Sequence, residues 1–260
     1  MNRYTRSVQS IVTTAPSGDP AEARELAARF GLRAEPRAGR ALSTVLADGA
    51  GAPVLVLAAR RADLYERGRA FRASAGMAVL RVLRAARGEV DPIVAHAGLR
   101  PGDTVLDATL GLGGDALIAA HATGRRVVGL ESDGTIAAFT QASLRRLGNH
   151  GREPGRNVEI IHADHRAWLR EQPDSSFDVV LLDPMFRRSG DAASLFDLLR
   201  FHAEHAPLDP RTLREAQRVA RRGVLLKDAA RGEELQRLGV VPRLSRRSAA
   251  LAFGWAPASP

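Results

Sequence analysis

The 260-residue sequence predicts an α/β fold, a mostly parallel doubly wound sheet preceded by a small α+β extension. Three observations carry that expectation. From residue 104 onward, short runs of branched apolar residues alternate with helix-length stretches, a rhythm that produces parallel strands with helices on both faces. The stretch from Thr104 to Asp115 runs a strand into a glycine turn and a helix start, the local form of a nucleotide-type cofactor site. Before about residue 72 the elements are shorter and broken by Gly and Pro, so residues 1–72 are expected to form an N-terminal extension and residues 73–260 the main domain.

In the extension, residues 8–14 have strand character and the Pro16 to Pro20 stretch breaks them. Ala21 to Phe30 reads as a helix capped by Gly31. Ala41 to Ala47 and Pro53 to Ala59 read as strands flanking the turn Asp48-Gly49-Ala50-Gly51. This unit carries no catalytic motif, which leaves a substrate-recruiting module and a structural cap both open. In the main domain, residues 75–87 have an amphipathic helical pattern with Met77, Leu80 and Leu83 on one face. Asp91-Pro92 starts a short helix over 93–97, and residues 99–103 turn into the first strand of the sheet. Strands fit at 104–107, 126–131, 157–162, 177–183 and 222–227. Helices fit at 114–123, 134–148, 164–170, 192–220 (broken at Pro207 and Pro210) and 231–238. Two last strands fit at 240–243 and 249–255.

Composition bounds the class. With 45% apolar and 26% charged residues, the chain has the make-up of an ordinary soluble globular protein. No apolar run approaches the roughly 20 residues that span a bilayer. The basic start Met1 to Arg6 is not followed by a signal-type apolar segment, so a cytoplasmic protein is expected. The absence of cysteine excludes disulfides and thiolate metal sites. A net charge of +9 suits a polyanionic partner such as RNA. Every basic residue except Lys227 is arginine, however, and a coding bias would produce the same excess.

The run Gly111-Leu112-Gly113-Gly114-Asp115-Ala116 also fits a loose dinucleotide fingerprint, so a nicotinamide or flavin enzyme is an alternative. Charge argues against it. A pyrophosphate would sit on the helix N-terminus, where Asp115 stands, with Asp107 closing the strand in front. Two carboxylates suit a cofactor with a cationic end and no phosphate, and S-adenosylmethionine carries both an ammonium and a sulfonium. Glu131, at the tip of the next strand, can accept hydrogen bonds from ribose hydroxyls, or merely cap the following helix. Asp164, beside His165, can accept from an adenine amine. No metal is expected: His162, Asp164 and His165 lack an evident third well-placed ligand, and His202, Glu204 and His205 read as a solvated helix face.

The strand Phe177 to Leu182 runs into Asp183-Pro184-Met185-Phe186. An Asp-Pro-x-aromatic tetrad at a strand tip is the pattern of enzymes that methylate exocyclic or amide nitrogens. Such a nitrogen has a conjugated lone pair that must be turned toward the methyl group. Asp183 and the carbonyl of Pro184 can hold its two N–H bonds, and Phe186 can stack on the flat group.

With these residues placed, the chain resembles the class I S-adenosylmethionine-dependent methyltransferases, which share a Rossmann-like fold. Within them it is most similar to the RsmJ-like family, which methylates guanine N2 in small-subunit ribosomal RNA. The resemblance rests on Asp107 to Asp115, Leu130-Glu131, Ile161-His162-Ala163 and Leu182-Asp183-Pro184-Met185-Phe186, and covers about residues 75–230. It implies that Gly114, Asp115, Glu131, Ser132, Asp164, His165 and Asp183 line the cofactor site; Asp107, which closes the strand, and Gly111 and Gly113 of the turn are expected to hold the cofactor with them. Two departures stand out. Asp164-His165 replaces a pair of small hydroxyl residues, and Arg187-Arg188-Ser189-Gly190-Asp191 replaces a proline and a lysine-rich run.

The expected activity is methyl transfer from S-adenosylmethionine to an exocyclic base nitrogen of RNA, guanine N2 of small-subunit ribosomal RNA above all. Asp183, Pro184 and Phe186 would present the acceptor, and Arg187, Arg188 and Lys227 would face the substrate. The segment Arg243 to Arg247 is a second candidate RNA contact. A small-molecule or protein-amide N-methyltransferase is the alternative within the class; an NAD-dependent oxidoreductase and a non-catalytic RNA-binding protein are the alternatives outside it.

Overall fold

A computed structural model of the chain describes residues 9–72, 76–147, 157–183, 198, 202, 207–245 and 248–259. Two sheets organise them. The smaller is built from β1 (Ile11–Thr14), β2 (Arg33–Ala34), β3 (Val54–Leu57), β4 (Ala62–Glu66) and β5 (Arg69–Arg72), in the order β2-β1-β3-β4-β5. Helices α1 (Pro20–Phe30) and α2 (Leu42–Asp48) connect its first three strands. Asp19 starts α1 by accepting the Ala21 N–H at 2.8 Å, Pro20 fits its first turn, and Gly31 ends it in a left-handed conformation at φ 71°. The face so made buries Ala23, Leu26, Ala27 and Phe30; full burial of Leu26 and Phe30 stabilises by about 2 kcal/mol each.

Residues 41–47, read as a strand flanking the turn at 48–51, are instead mostly helix α2. Leu42, Val45 and Leu46 recur at helical spacing and pack against Ile11, Val54 and Val56, and that tertiary contact outweighs the β-branched residues. The hairpin β4–β5 was not expected either. Its charges masked the alternation: Asp63 is buried in β4 only because Arg61 and Arg72 pair with it, at 3.0 and 2.8 Å.

The larger sheet follows two helices, α3 (Gly76–Ala86) and α4 (Pro92–Ala97). Its strands are β6 (Val105–Asp107), β7 (Val127–Glu131), β8 (Val158–His162), β9 (Phe177–Leu182), β10 (Ala220–Ala229), β11 (Pro242–Ser245) and β12 (Ser248–Pro257), in the order β11-β12-β10-β9-β6-β7-β8. The five strands from β8 to β10 run parallel, and β12 and β11 add antiparallel pairs at one edge. The connecting helices are α5 (Gly114–Thr123), α6 (Gly134–Arg145), α7 (His165–Glu171), α8 (Pro210–Val219) and α9 (Glu233–Arg237). Of the helix expected over 192–220, the described part is chiefly α8, and strand β10 already begins at Ala220.

Helices α5 and α6 cover one face, where Leu117, Ile118 and Phe139 share a core with Leu26, Phe30 and Leu57 of the smaller unit. Leu169, Leu213, Ala216 and Val219 close the other face over Leu106, Val180 and Leu182. The two units are locked along α6. Arg146 forks onto Glu22 at 2.9 and 2.7 Å and donates to the Ala58 carbonyl, while Ser10 and Thr135 share a buried 2.8 Å hydrogen bond. Gly134 meets the Phe30 carbonyl so closely that a Cβ there would lie 2.3 Å from the oxygen. In α3 the expected apolar face is not the buried one. Leu80 and Leu83 are exposed, Ala78 and Val82 pack inward with Arg81 between them, and the Met77 side chain lies outside the described set. Among the described residues no helix is long and apolar enough to cross a membrane.

Candidate active site

The chain leaves β6 through α5 toward β7, and leaves β9 through α8 toward β10 on the other side, so a crevice opens at the carboxyl ends of β6 and β9. Asp107 ends β6 there, 2% exposed. Burial pushes its carboxyl up to about 7, helped by the nearby charge of Asp115 and opposed by a 3.2 Å hydrogen bond from the Thr109 N–H. The glycine turn follows. The Gly111 N–H donates to Glu131 at 3.0 Å, and Thr140 of α6 donates to the Gly111 carbonyl at 2.8 Å. Gly113 caps α5 at φ 73°, and a Cβ on it would press to 3.3 Å from the Thr140 methyl. Gly114 opens α5, and Asp115 stands in its first turn.

Asp115 is held by two cations. Arg81 of α3 and Lys227 of β10 each reach it at 2.7 Å. Burial alone would raise its carboxyl, but Lys227 and Arg81 more than offset that and hold it down at about 2. Lys227 also donates to Asp183 at 2.5 Å; burial disfavours its charge, yet the two carboxylates keep its pKa above the ordinary lysine range. Arg81 forks back onto Asp91, the N-cap of α4, at 2.8 and 2.9 Å. The result is a row of alternating charge, Asp91–Arg81–Asp115–Lys227–Asp183, drawn from five elements or their ends. Arg81 was missed from sequence. Its signal was a lone arginine flanked on its own helix face by Ala78, Val82 and Ala85.

The Asp183 end of the crevice is tied to the turn after β6 by a main-chain donor. The Asp183 N–H donates to the Thr109 hydroxyl at 2.6 Å, fixing the end of β9 against the turn after β6. Pro184, Phe186, Arg187 and Arg188 lie outside the described residues, as do Glu204, His205, Arg246 and Arg247. Lys227, read as facing the substrate, stands in the middle of the crevice, bound to two carboxylates.

Glu131 ends β7 with one carboxylate oxygen on the Gly111 N–H and the other on the Asp133 N–H. Burial raises its pKa, and those N–H groups restrain the rise. Ser132 beside it is exposed. Asp164 and His165 lie one strand farther out, after β8. Asp164 caps α7 and pairs with Arg166, which holds its carboxyl down at about 2, so its oxygens are already engaged.

His202 corrects one expectation. It is not on a solvated face: its two ring nitrogens lie 2.7 Å from Asp133, the N-cap of α6, and 2.7 Å from Glu66 of β4, with its side chain 11% exposed. Burial would lower its pKa, but Asp133 and Glu66 raise it to about 9. Glu66, Asp133 and His202 join the smaller sheet, the start of α6 and the chain beyond Asp183, a contact no sequence spacing announces. Among the described residues no group of three or more His, Asp or Glu is arranged to hold a metal.

The crevice thus offers carboxylates in excess of cations and a glycine turn that admits close approach. Those carboxylates accept hydroxyl and amine hydrogens and favour a ligand with positive charge. Comparisons with known proteins bear on its identity. A family described as "Putative SAM-dependent methyltransferase" matches residues 55–238. The protein named "Uncharacterized protein YpiP" from Bacillus subtilis is 34% identical over 238 residues, which is 86% of this chain and 90% of that one. The ribosomal RNA small subunit methyltransferase J of Laribacter hongkongensis is 37% identical over 111 residues, 41% of this chain. That match spans 39% of the Laribacter protein, and the one to its namesake in Alkalilimnicola ehrlichii spans 40% of that protein. Among solved structures, the SAM-dependent methyltransferase NGO1261 of Neisseria gonorrhoeae superposes with a TM-score of 0.64 at 19% identity, covering 95% of each chain, which shows a shared fold.

Proposed function

This chain belongs to the S-adenosylmethionine-dependent methyltransferases, and from that premise we propose that it methylates an exocyclic base nitrogen of RNA, guanine N2 of small-subunit ribosomal RNA first among them. The cofactor is S-adenosylmethionine, and the excess of carboxylates over cations in the crevice fits its cationic groups. When bound it supplies a methyl group already activated on a sulfonium sulfur.

In this proposal Glu131, anchored by two main-chain N–H groups, keeps lone pairs for the ribose hydroxyls. Asp107 and Asp115 favour the cationic end, Gly111, Gly113 and Gly114 let the backbone approach, and Ser132, Asp164 and His165 flank the adenosine. The observation that carries the reaction is Asp183, fixed at the tip of β9 by Lys227 and Thr109. Its carboxylate and the Pro184 carbonyl accept the two N–H bonds of the acceptor amine and turn its lone pair toward the methyl group. Phe186 stacks on the base, and Arg187 and Arg188 meet flanking phosphates. After transfer the nitrogen carries one proton too many, and Asp183 or solvent receives it. Lys227 is not that base. Two carboxylates hold it protonated, so its part is to orient Asp183. The division into an extension, residues 1–72, and a catalytic unit, residues 73–260, is part of the same proposal.

The test is labelled methyl transfer to ribosomal RNA from a strain lacking this protein, followed by nucleoside mapping. N2-methylguanosine is the expected product. Label appearing only in protein amides or small molecules would replace this reading with that of an amide or small-molecule methyltransferase.

A further inference from the structure

The smaller sheet has a crevice of its own. β1 lies between β2 and β3 and parallel to both. The chain leaves β1 through α1 on the face where Leu26 and Phe30 are buried, and leaves β2 through α2 on the opposite face, where Val45 meets Ile11. The loops after β1 and β2 therefore part to opposite faces, and open α/β sheets take ligands where that happens. Here the gap is a cavity of about 400 Å³. Ala15 and Pro16 line one side and Ala34 and Pro36 the other, with Arg24 and Arg37 among its walls.

Its charge is the reverse of the crevice in the larger sheet. Arg40, also in the wall, is committed to Glu35 and Asp48 at 2.9 and 3.1 Å. Asp19, at the start of α1, has its carboxylate on the Ala21 N–H. Arg24 and Arg37 have no carboxylate partner among the described residues. Arg37 is held in place nonetheless, its Nε donating to the Arg40 carbonyl at 2.8 Å across a turn through Ala38, φ 48°, and Gly39, φ 80°. Arg24 of α1 and Arg37 of the loop thus set guanidinium groups beside an apolar slot, and that pairing suits a phosphate with a flat base attached.

We propose that this crevice is a second RNA contact, taking the phosphate and base of one nucleotide in a single strand. The occupant rests on the RNA reading above. α6 separates the two crevices. It begins at Asp133, beside the cofactor residues, and ends at Arg145 and Arg146, which grip Glu22 of α1 and the Ala58 carbonyl near the carboxyl ends of β1 and β3. Its 12 residues span about 18 Å, so only a strand of several nucleotides reaches from one crevice to the other.

The test titrates the full chain with a fluorescent single-stranded RNA dodecamer over a salt series, and with guanosine 5′-monophosphate and inorganic phosphate. The double variant Arg24→Ala/Arg37→Ala is expected to weaken dodecamer binding roughly tenfold or more. It should also flatten the log–log salt slope by about 0.7, the change expected when one phosphate of a single strand is no longer neutralised. S-adenosylmethionine affinity and melting temperature should not change. Arg37→Lys, which keeps the charge and removes the fork, should fall between. Unchanged dodecamer affinity and slope in the double variant would overturn the proposal. So would guanosine monophosphate or phosphate binding as tightly as the dodecamer, because the site would then serve a free small molecule. The functional reading fails on a different result: no methyl transfer to any RNA by a wild-type protein that binds its cofactor.

Discussion

The two sheets open crevices by the same rule and fill them with opposite charge. In the larger sheet the gap beyond β6 and β9 gathers Asp107, Asp115, Glu131 and Asp183 around one lysine and one arginine. In the smaller sheet the gap between β1 and β2 gathers three arginines around one glutamate. Topology decides where a ligand can enter, because diverging loops leave strand ends uncovered. Side-chain charge then decides which ligand. A fold-level likeness alone would have called both gaps nucleotide sites and missed that one favours a cation and the other an anion.

The sharpest way to break that contrast is at Asp183. Asp183→Ala should lower single-turnover methyl transfer by at least about 100-fold while calorimetry finds S-adenosylmethionine affinity within a few-fold of wild type. Full activity would remove Asp183 from the reaction. Next comes Lys227→Met, which leaves Asp115 and Asp183 facing each other without their shared cation. Breaking such a buried pair costs about 3–5 kcal/mol, read as a drop in denaturant midpoint; a stability loss below about 1 kcal/mol would mean that the ammonium matters little to the fold.

A pH effect of intermediate size should arise between the crevices, at His202. Its folded pKa of about 9 lies above the ordinary 6.5. The stabilisation is therefore full below pH 6.5 and lost as pH rises through 9. The melting temperature of wild type should fall across that window relative to His202→Gln; parallel curves for the two proteins would refute the doubly paired histidine. The smallest effect is expected at Gly113→Ala. A left-handed φ and a 3.3 Å contact with Thr140 should cost about 1–2 kcal/mol, with weaker cofactor binding as the second readout.

The sequence made much of the larger sheet legible. Its strands are short apolar runs and its helices begin at recognisable caps, Asp133 and Asp209 among them. Asp107, Asp115, Glu131 and Asp183 could be named because each ends a strand or starts a helix next to one. What stayed hidden depends on distant residues. Arg81 reaches Asp115 from 34 positions away, and Glu66, Asp133 and His202 meet only after both sheets have formed. The hairpin β4–β5 hid behind charges that are neutralised in pairs, and α2 behind β-branched residues that pack as a helix. The smaller crevice was invisible for a similar reason, since neither α2 nor the strand order could be foreseen.

The row Asp91–Arg81–Asp115–Lys227–Asp183 has an odd number of members, three acids and two bases. It is one positive charge short of electroneutrality. S-adenosylmethionine, with its sulfonium and ammonium against one carboxylate, carries a net charge of one, and bound at this row as proposed it makes up the deficit. Once its methyl group is gone the sulfonium is a neutral thioether, and the row is again one charge short. On the proposed site, donor and spent product therefore differ in how they balance the row, a difference of ionic balance that needs no moving part.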